Sequence, residues 1–268
     1  MTRVGVLGER GMLGHTVARF LAEQGCEVLA VPGRFTPATA PDFVRAMAAA
    51  RADWWVNCVG VAPRAGVSAE QMDAANRVLP EMCDALLPAG VGFVHASTDG
   101  VFRPDLPARH VDDVPDAEDA YGESKRRAEA ALQASPRCVI IRCSIVGPEL
   151  GAPRSLLGWL LSQERTVRGF VNHWWNGITT LQWARVAWQA MQSRPHGPSA
   201  RLLQPGVLPP VTKFDLLRSI ARAWDSPIAV GPAEAPAPVL RTLVPNLLCP
   251  SLADQLAELR TWYSGVYA

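Results

Sequence analysis

Apolar runs alternate with amphipathic stretches along the first half of the chain. Arg3–Gly8 (RVGVLG) is short, apolar and closed by glycine, which predicts a buried strand. His15–Gln24 spaces its apolar residues as an amphipathic helix does. The alternation then repeats. Glu27–Val31, Trp54–Gly60, Gly92–Ser97 and Cys138–Ser144 read as further strands. Asp42–Arg51, Gln71–Leu87 and Tyr121–Ala134 read as the helices between them. Five apolar strands separated by helices predict an α/β domain with a doubly wound parallel sheet. Ligands of such sheets bind beyond the C-terminal ends of the strands. Gly8, Gly60, Thr98 and Ser144 fall at such ends and are expected to face one crevice.

After about residue 147 the pattern weakens. Gly147–Arg154 is a glycine and proline loop, followed by a short helix over Ser155–Gln163. Val167–Thr180 (VRGFVNHWWNGITT) is aromatic and loop-like, and Leu181–Gln192 reads as a helix. Arg194–Pro210 is a connector, Lys213–Trp224 a helix, Ala233–Pro238 a loop and Leu252–Tyr263 a last helix.

Composition narrows the classes. With 49% hydrophobic and 19% charged residues, 268 residues make an ordinary globular balance. A net charge of +1 gives no electrostatic case for nucleic acid or an anionic membrane as partner. No run of apolar residues is long enough to span a bilayer. The six cysteines show no metal-ligand spacing, so no metal site is expected, and they read as small buried hydrophobes in a reducing cytoplasm.

Two motifs carry chemistry. In GERGMLG, Gly8, Gly11 and Gly14 follow the first strand and lead into the helix over His15–Gln24, with Met12 and Leu13 in the turn as candidate cofactor contacts. A glycine turn at a helix N-terminus lets backbone amides approach a dinucleotide pyrophosphate. The third strand end, Cys58-Val59-Gly60, would pass under the adenine. At the end of the second strand a plain NAD site offers an acidic residue to the ribose. Here Arg34 stands instead, and Arg10 sits in the glycine turn. Two guanidiniums suit a ribose 2′-phosphate, so NADPH is expected, with NADH as the alternative.

The second motif is Tyr121-Gly122-Glu123-Ser124-Lys125. Residues four apart share a helix face. There an ammonium can depress the phenol pKa toward a value useful for proton transfer. Lys125 and Lys213 are the only lysines among 26 lysines and arginines, so a position needing only charge would have been given arginine. His95 lies within a strand and reads as a core histidine.

Together GERGMLG, NCVG, STDGVF, YGESK, RCSIVGPE and NGITT resemble the extended short-chain dehydrogenase/reductase family, and most closely its dTDP-4-dehydrorhamnose reductase branch. The resemblance implies a Rossmann-type NAD(P)-binding domain over 1–147, with 172–193 packing back on it. A smaller C-terminal substrate-binding region would span 148–171 and 194–268. It implies a catalytic set of Thr98, Tyr121 and Lys125, with Lys125 also holding the nicotinamide ribose. Ser97 and Ser144 join the cofactor contacts, and Asn76 and Asp99 the substrate side. Trp174, Trp175 and Asn176 are the candidate substrate wall, and Arg168 the candidate partner of a diphosphate. Asp99 is followed by Gly100 where dehydrating relatives carry a second carboxylate, so reduction of a nucleotide-linked 4-keto-deoxysugar is expected over 4,6-dehydration. A nucleotide-sugar epimerase and a non-catalytic NADP-binding regulatory subunit are the alternatives. A homodimer is common in the family.

Overall fold

A computed structural model describes residues 1–31, 35–36, 38–193 and 201–267. The first five strands are β1 (Arg3–Leu7), β2 (Glu27–Ala30), β3 (Trp54–Asn57), β4 (Gly92–Ser97) and β5 (Cys138–Arg142). Leu202–Leu203 adds a sixth. All pair in parallel, in the order β2–β1–β3–β4–β5 and then Leu202–Leu203. The doubly wound parallel sheet read from the hydrophobic pattern is therefore present. Its order reverses between β1 and β3, and such a switch point opens a crevice at the strand C-terminal ends.

The helices are α1 (Met12–Glu23), α2 (Ala40–Ala49), α3 (Ala69–Asp73), α4 (Leu79–Leu86), α5 (Ala120–Gln133), α6 (Leu156–Leu161), α7 (Thr180–Ser193), α8 (Lys213–Ala223) and α9 (Leu252–Tyr267). Alternate strand residues face opposite layers. Val4, Val6, Trp54, Val56, Val94 and Val139 pack with α1 and α7, where Trp183 is fully buried. Leu7, Trp55, Phe93 and Ile140 pack on the other face with Phe43, Leu79, Cys83 and Leu132. Two glycines make room for this: a Cβ on Gly5 would collide with the Trp55 ring, and one on Gly92 with Trp54.

A third cluster lies outside the sheet. Leu157, Leu160, Val167, Trp175, Leu216, Ile220, Leu252 and Leu256 join α6, α8 and α9. Short strand pairs tie it together: Val167–Phe170 with Val230–Ala233, Trp174–Trp175 with Val211–Thr212, and Ile178–Thr179 with Ile145–Val146. These pairs replace the loop expected over 167–180, while the loop expected over 233–238 keeps all but Ala233. Among the described residues no helix is long and apolar enough to cross a membrane.

The helix expected over 71–87 is broken. Ala74–Val78 forms a π-helical turn between α3 and α4, with Asn76 at its centre. Such turns widen the backbone and recur at functional sites.

Candidate active site

The glycine turn opens a cleft of about 1440 Å³ above β1, β2 and β3. Gly8 has φ +79°, a conformation that side chains rarely adopt, and its carbonyl accepts from Gly11 N at 2.9 Å. A Cβ on Gly14 would strike that same carbonyl, so α1 meets the turn only through glycine. Gly11 caps α1 without a side chain, leaving the first amides of the helix, at Met12 and Leu13, aimed outward. The cleft is lined by Gly8, Arg10, Gly11, Cys58, Val59 and Gly60 of the expected cofactor set, and by Ala30, Val31 and Thr36 on the β2 side. Leu13 is instead packed in the core, so only its backbone is placed to contribute. Arg10 is exposed, with Glu9 at 3.6 Å. Arg34 lies outside the described residues. Arg154, which no sequence signal marked, reaches the cleft from the loop after β5.

Thr98 follows β4. Its hydroxyl accepts from Gly100 N at 3.0 Å and donates to Asp99 Oδ1 at 3.1 Å. The 3-10 turn Asp99–Val101 that this builds receives the start of α5. Asp119 caps α5, accepting from Tyr121 N at 3.1 Å and Gly122 N at 3.0 Å. Gly122 is required by the packing, since a Cβ there would meet Gly100 O and the Ala117 side chain. A Cβ on Gly100 would in turn lie 3.0 Å from the Tyr121 ring. The two glycines bring Tyr121 down beside Thr98.

Lys125 is buried one turn on, and its Nζ donates to Ala96 O at 3.0 Å. The expected electrostatic effect on the tyrosine is not seen. Burial pushes the Tyr121 phenol above its ordinary value; neighbouring Thr98 and Arg241 pull the other way, and Asp99 and Asp119 push it up. Burial also lowers the Lys125 ammonium to about 8, with Glu129 and Cys58 opposing. The physical reason is that the lysine spends its charge on a β4 carbonyl, and both groups have left water. A phenol held above its ordinary value stays protonated at neutral pH and is suited to donate.

Asn76 is fully buried and does structural work. Its amide receives Val61 N at 2.8 Å, donates to Val61 O at 3.0 Å and to Ser124 Oγ at 3.1 Å. The π turn thus clamps α5 to the loop after β3. A Cβ on Gly60 would lie 3.7 Å from Lys125 Nζ and 3.9 Å from Asn76 Oδ1, so Gly60 joins the cleft to the Lys125 side. Ser144 Oγ donates to Asp99 Oδ1 at 3.0 Å, a bond that anchors Asp99. Arg241, another residue missed in the sequence, sets Nε 3.6 Å from Asp99 Oδ2 and donates from Nη1 to Phe102 O at 2.8 Å. Ser97 is buried, with no hydrogen-bond partner for its Oγ among the described residues. His95 bonds Asn57 at 3.1 Å through one ring nitrogen, while the other is buried and unpartnered.

The expected substrate wall needs correction. Trp175 is 3% exposed and belongs to the third core cluster. Asn176 uses its whole amide on Leu243, donating to its carbonyl at 2.7 Å and accepting from its N–H at 3.1 Å. Of the three, Trp174 alone is open, at 40%. Strand pairing explains this, because neighbouring residues on a strand face opposite sides. Arg168 sits exposed on the Val167–Phe170 strand and donates to Pro232 O at 3.1 Å. It shares no contact with the Thr98–Tyr121 cluster among the described residues.

A family model described as the RmlD substrate binding domain matches residues 2–266. The chain belongs to that family. A Streptomyces antibioticus protein named as a probable dTDP-4,6-dihydroxy-2-methyloxan-3-one 4-ketoreductase is 35% identical over 173 residues, 61% of this chain and 57% of that protein. A dTDP-4-dehydrorhamnose reductase of Mycolicibacterium smegmatis is 32% identical over 151 residues, 54% of this chain and 46% of that one. The chain thus matches about half the length of these relatives. The dTDP-4-dehydrorhamnose reductase of Bacillus anthracis, solved in complex with NADP, superposes with a TM-score of 0.85 at 16% identity, covering 98% of this chain and 99% of that one. At that identity the likeness is one of fold. The RmlD-family fold carries the glycine turn, Thr98, Tyr121 and Lys125 to the same side of the sheet.

Proposed function

We propose that the protein is an NADPH-dependent reductase of a 4-keto group on a nucleotide-linked deoxysugar. The observation that carries the reading is Tyr121, buried beside Thr98 across Gly100, one helical turn from buried Lys125 and next to the glycine-lined cleft. The cleft suits a dinucleotide: its turn tolerates no Cβ at Gly14, and the α1 amides are free to take a pyrophosphate. Arg10, Arg64 and Arg154 line it, with Glu9 as the lone acid among the described residues, a balance that favours the extra phosphate of NADPH. When bound, that cofactor supplies the hydride for the carbonyl carbon.

The chain's own groups do the rest. Thr98 turns its hydroxyl from Asp99 to hold the substrate carbonyl oxygen beside the phenol. Tyr121 gives its proton to that oxygen as negative charge develops, completing the alcohol. Lys125 is held by Ala96 at the junction of cleft and phenol, where it can take the ribose hydroxyls. Asp99 is locked by Thr98, Ser144 and Arg241, which fixes the Thr98 side chain in the free protein. Six free cysteines suit a reducing compartment such as the cytoplasm.

The test is NADPH oxidation against dTDP-, UDP- and GDP-linked 4-keto-6-deoxysugars. Tyr121→Phe should lose roughly two to four decades of turnover, the range for general acid catalysis. Near-normal turnover in a folded Tyr121→Phe protein would overturn the assignment.

A further inference from the structure

The second of the chain's two lysines has no part in the chemistry above. Lys213 opens α8, where a cation opposes the helix macrodipole. The chain otherwise uses arginine for positive charge throughout. Its backbone N–H is bound to His173 O at 2.8 Å, which fixes the residue beside the Trp174–Trp175 strand. The ammonium lies 5.8 Å over the Trp175 ring. Among the described residues it has no ion pair and no hydrogen bond. Asp215, the acid nearest in sequence, is engaged by Thr212.

Lys213 also feels the reacting end of the crevice. Burial lowers its pKa, Asp99 raises it and Arg241 lowers it further, so it shares a field with both. Asp99 has both oxygens engaged: Thr98 and Ser144 bond Oδ1, and Arg241 faces Oδ2. Two cations therefore stand against one carboxylate in a largely desolvated place. An ammonium with three unused donors, set against its own helix dipole, is costly unless an anion completes it.

We propose that Lys213, together with Arg241, receives the diphosphate of the nucleotide-linked substrate. Net positive charge selects the phosphates over the neutral sugar hydroxyls. This deepens the reductase reading and rests on it. It also gives the diphosphate a receptor in place of Arg168, which is spent on Pro232. The cofactor's own pyrophosphate belongs at the glycine turn above β1, so Lys213 should not affect it.

The test is calorimetric binding of dTDP, UDP and GDP, with the nucleosides as controls, to the full chain and to Lys213→Met and Lys213→Arg. NADPH affinity is followed separately by fluorescence. Lys213→Met should weaken the best-bound diphosphate roughly 10- to 100-fold, leave NADPH unchanged and raise KM more than it lowers kcat. Lys213→Arg should recover most of the affinity, which shows that charge and not packing is at stake. Unchanged diphosphate binding in folded Lys213→Met, or no diphosphate bound by the parent protein, would overturn the proposal. Weakened NADPH binding in Lys213→Met would assign the lysine to the cofactor's phosphates instead. Lys213-dependent dTDP binding without turnover of any keto sugar would sink the reductase reading while the diphosphate site stands.

Discussion

Replacing Lys125 with methionine should make the protein more stable and inactive at once. Lys125 is 3% exposed, and its ammonium loses its proton at about 8 where an ordinary lysine holds it to 10.5. At about 1.4 kcal/mol per decade, keeping that charge buried at neutral pH costs about 3 kcal/mol. Methionine fills similar space and gives up the hydrogen bond to Ala96 O, a loss of about 1 kcal/mol. The net gain at pH 7 is about 2 kcal/mol. The sign of the pH dependence follows from the depressed native pKa. Below about 8 the lysine is charged in the folded and unfolded chain alike, and the cost is fully present. Between about 8 and 10.5 the unfolded chain holds the proton and the folded one does not, so stability of the parent protein rises with pH through this window. Lys125→Met should lack that rise. Urea unfolding of both proteins at pH 7, 8.5 and 10 measures it. If Lys125→Met is the less stable protein at pH 7, or both show the same pH slope, the reasoning about the buried ammonium is wrong.

Two further changes probe the scaffold. Glu129 and Arg142 form a 2.6 Å ion pair, each 1% exposed, under α5. Glu129→Gln leaves the guanidinium buried without its carboxylate and should cost about 3–5 kcal/mol by urea unfolding, a result under 1 kcal/mol refuting it. Gly14→Ala drives a methyl into the Gly8 carbonyl. It should weaken NADPH binding by roughly a decade or more and cost about 1–3 kcal/mol in stability; unchanged affinity by fluorescence titration would show that the turn can give way.

The sheet and the placement of Tyr121 and Lys125 on one helix could be read from the sequence because each depends on short-range pattern. Apolar runs such as Trp54–Asn57 and Cys138–Arg142 leave no other element to form, and Tyr121 and Lys125 are placed by helical spacing alone. What escaped depends on long-range partners. Leu202–Leu203 is two residues in a proline-bounded connector and becomes a strand only because β5 offers a free edge. Ala74–Val78 has helical composition throughout, and its π turn is set by Asn76 reaching Val61 and Ser124. Trp175 and Asn176 carry the chemistry of a binding wall, yet core packing and Leu243 claim them. The tyrosine pKa was misjudged because spacing reports proximity and says nothing of desolvation, which here outweighs charge. Arg241 had no local signal at all, whereas the rarity of lysine did mark Lys213.

His15, the fourth residue of α1, bonds Tyr267 at 2.9 Å across 252 positions of sequence, and its other nitrogen holds Pro148 O at 3.0 Å. Thr16 meets Thr180 in the same way. During synthesis, then, the cofactor turn emerges early but rests on a helix whose outer face stays bare until α7 and α9 arrive. Asp99 likewise waits for Arg241. A nascent chain halted before α8 would present the dinucleotide cleft without the groups that direct its chemistry. On the proposed reading the last hundred residues act as a licence: the groups that direct the chemistry come together only once α8 and α9 are in place.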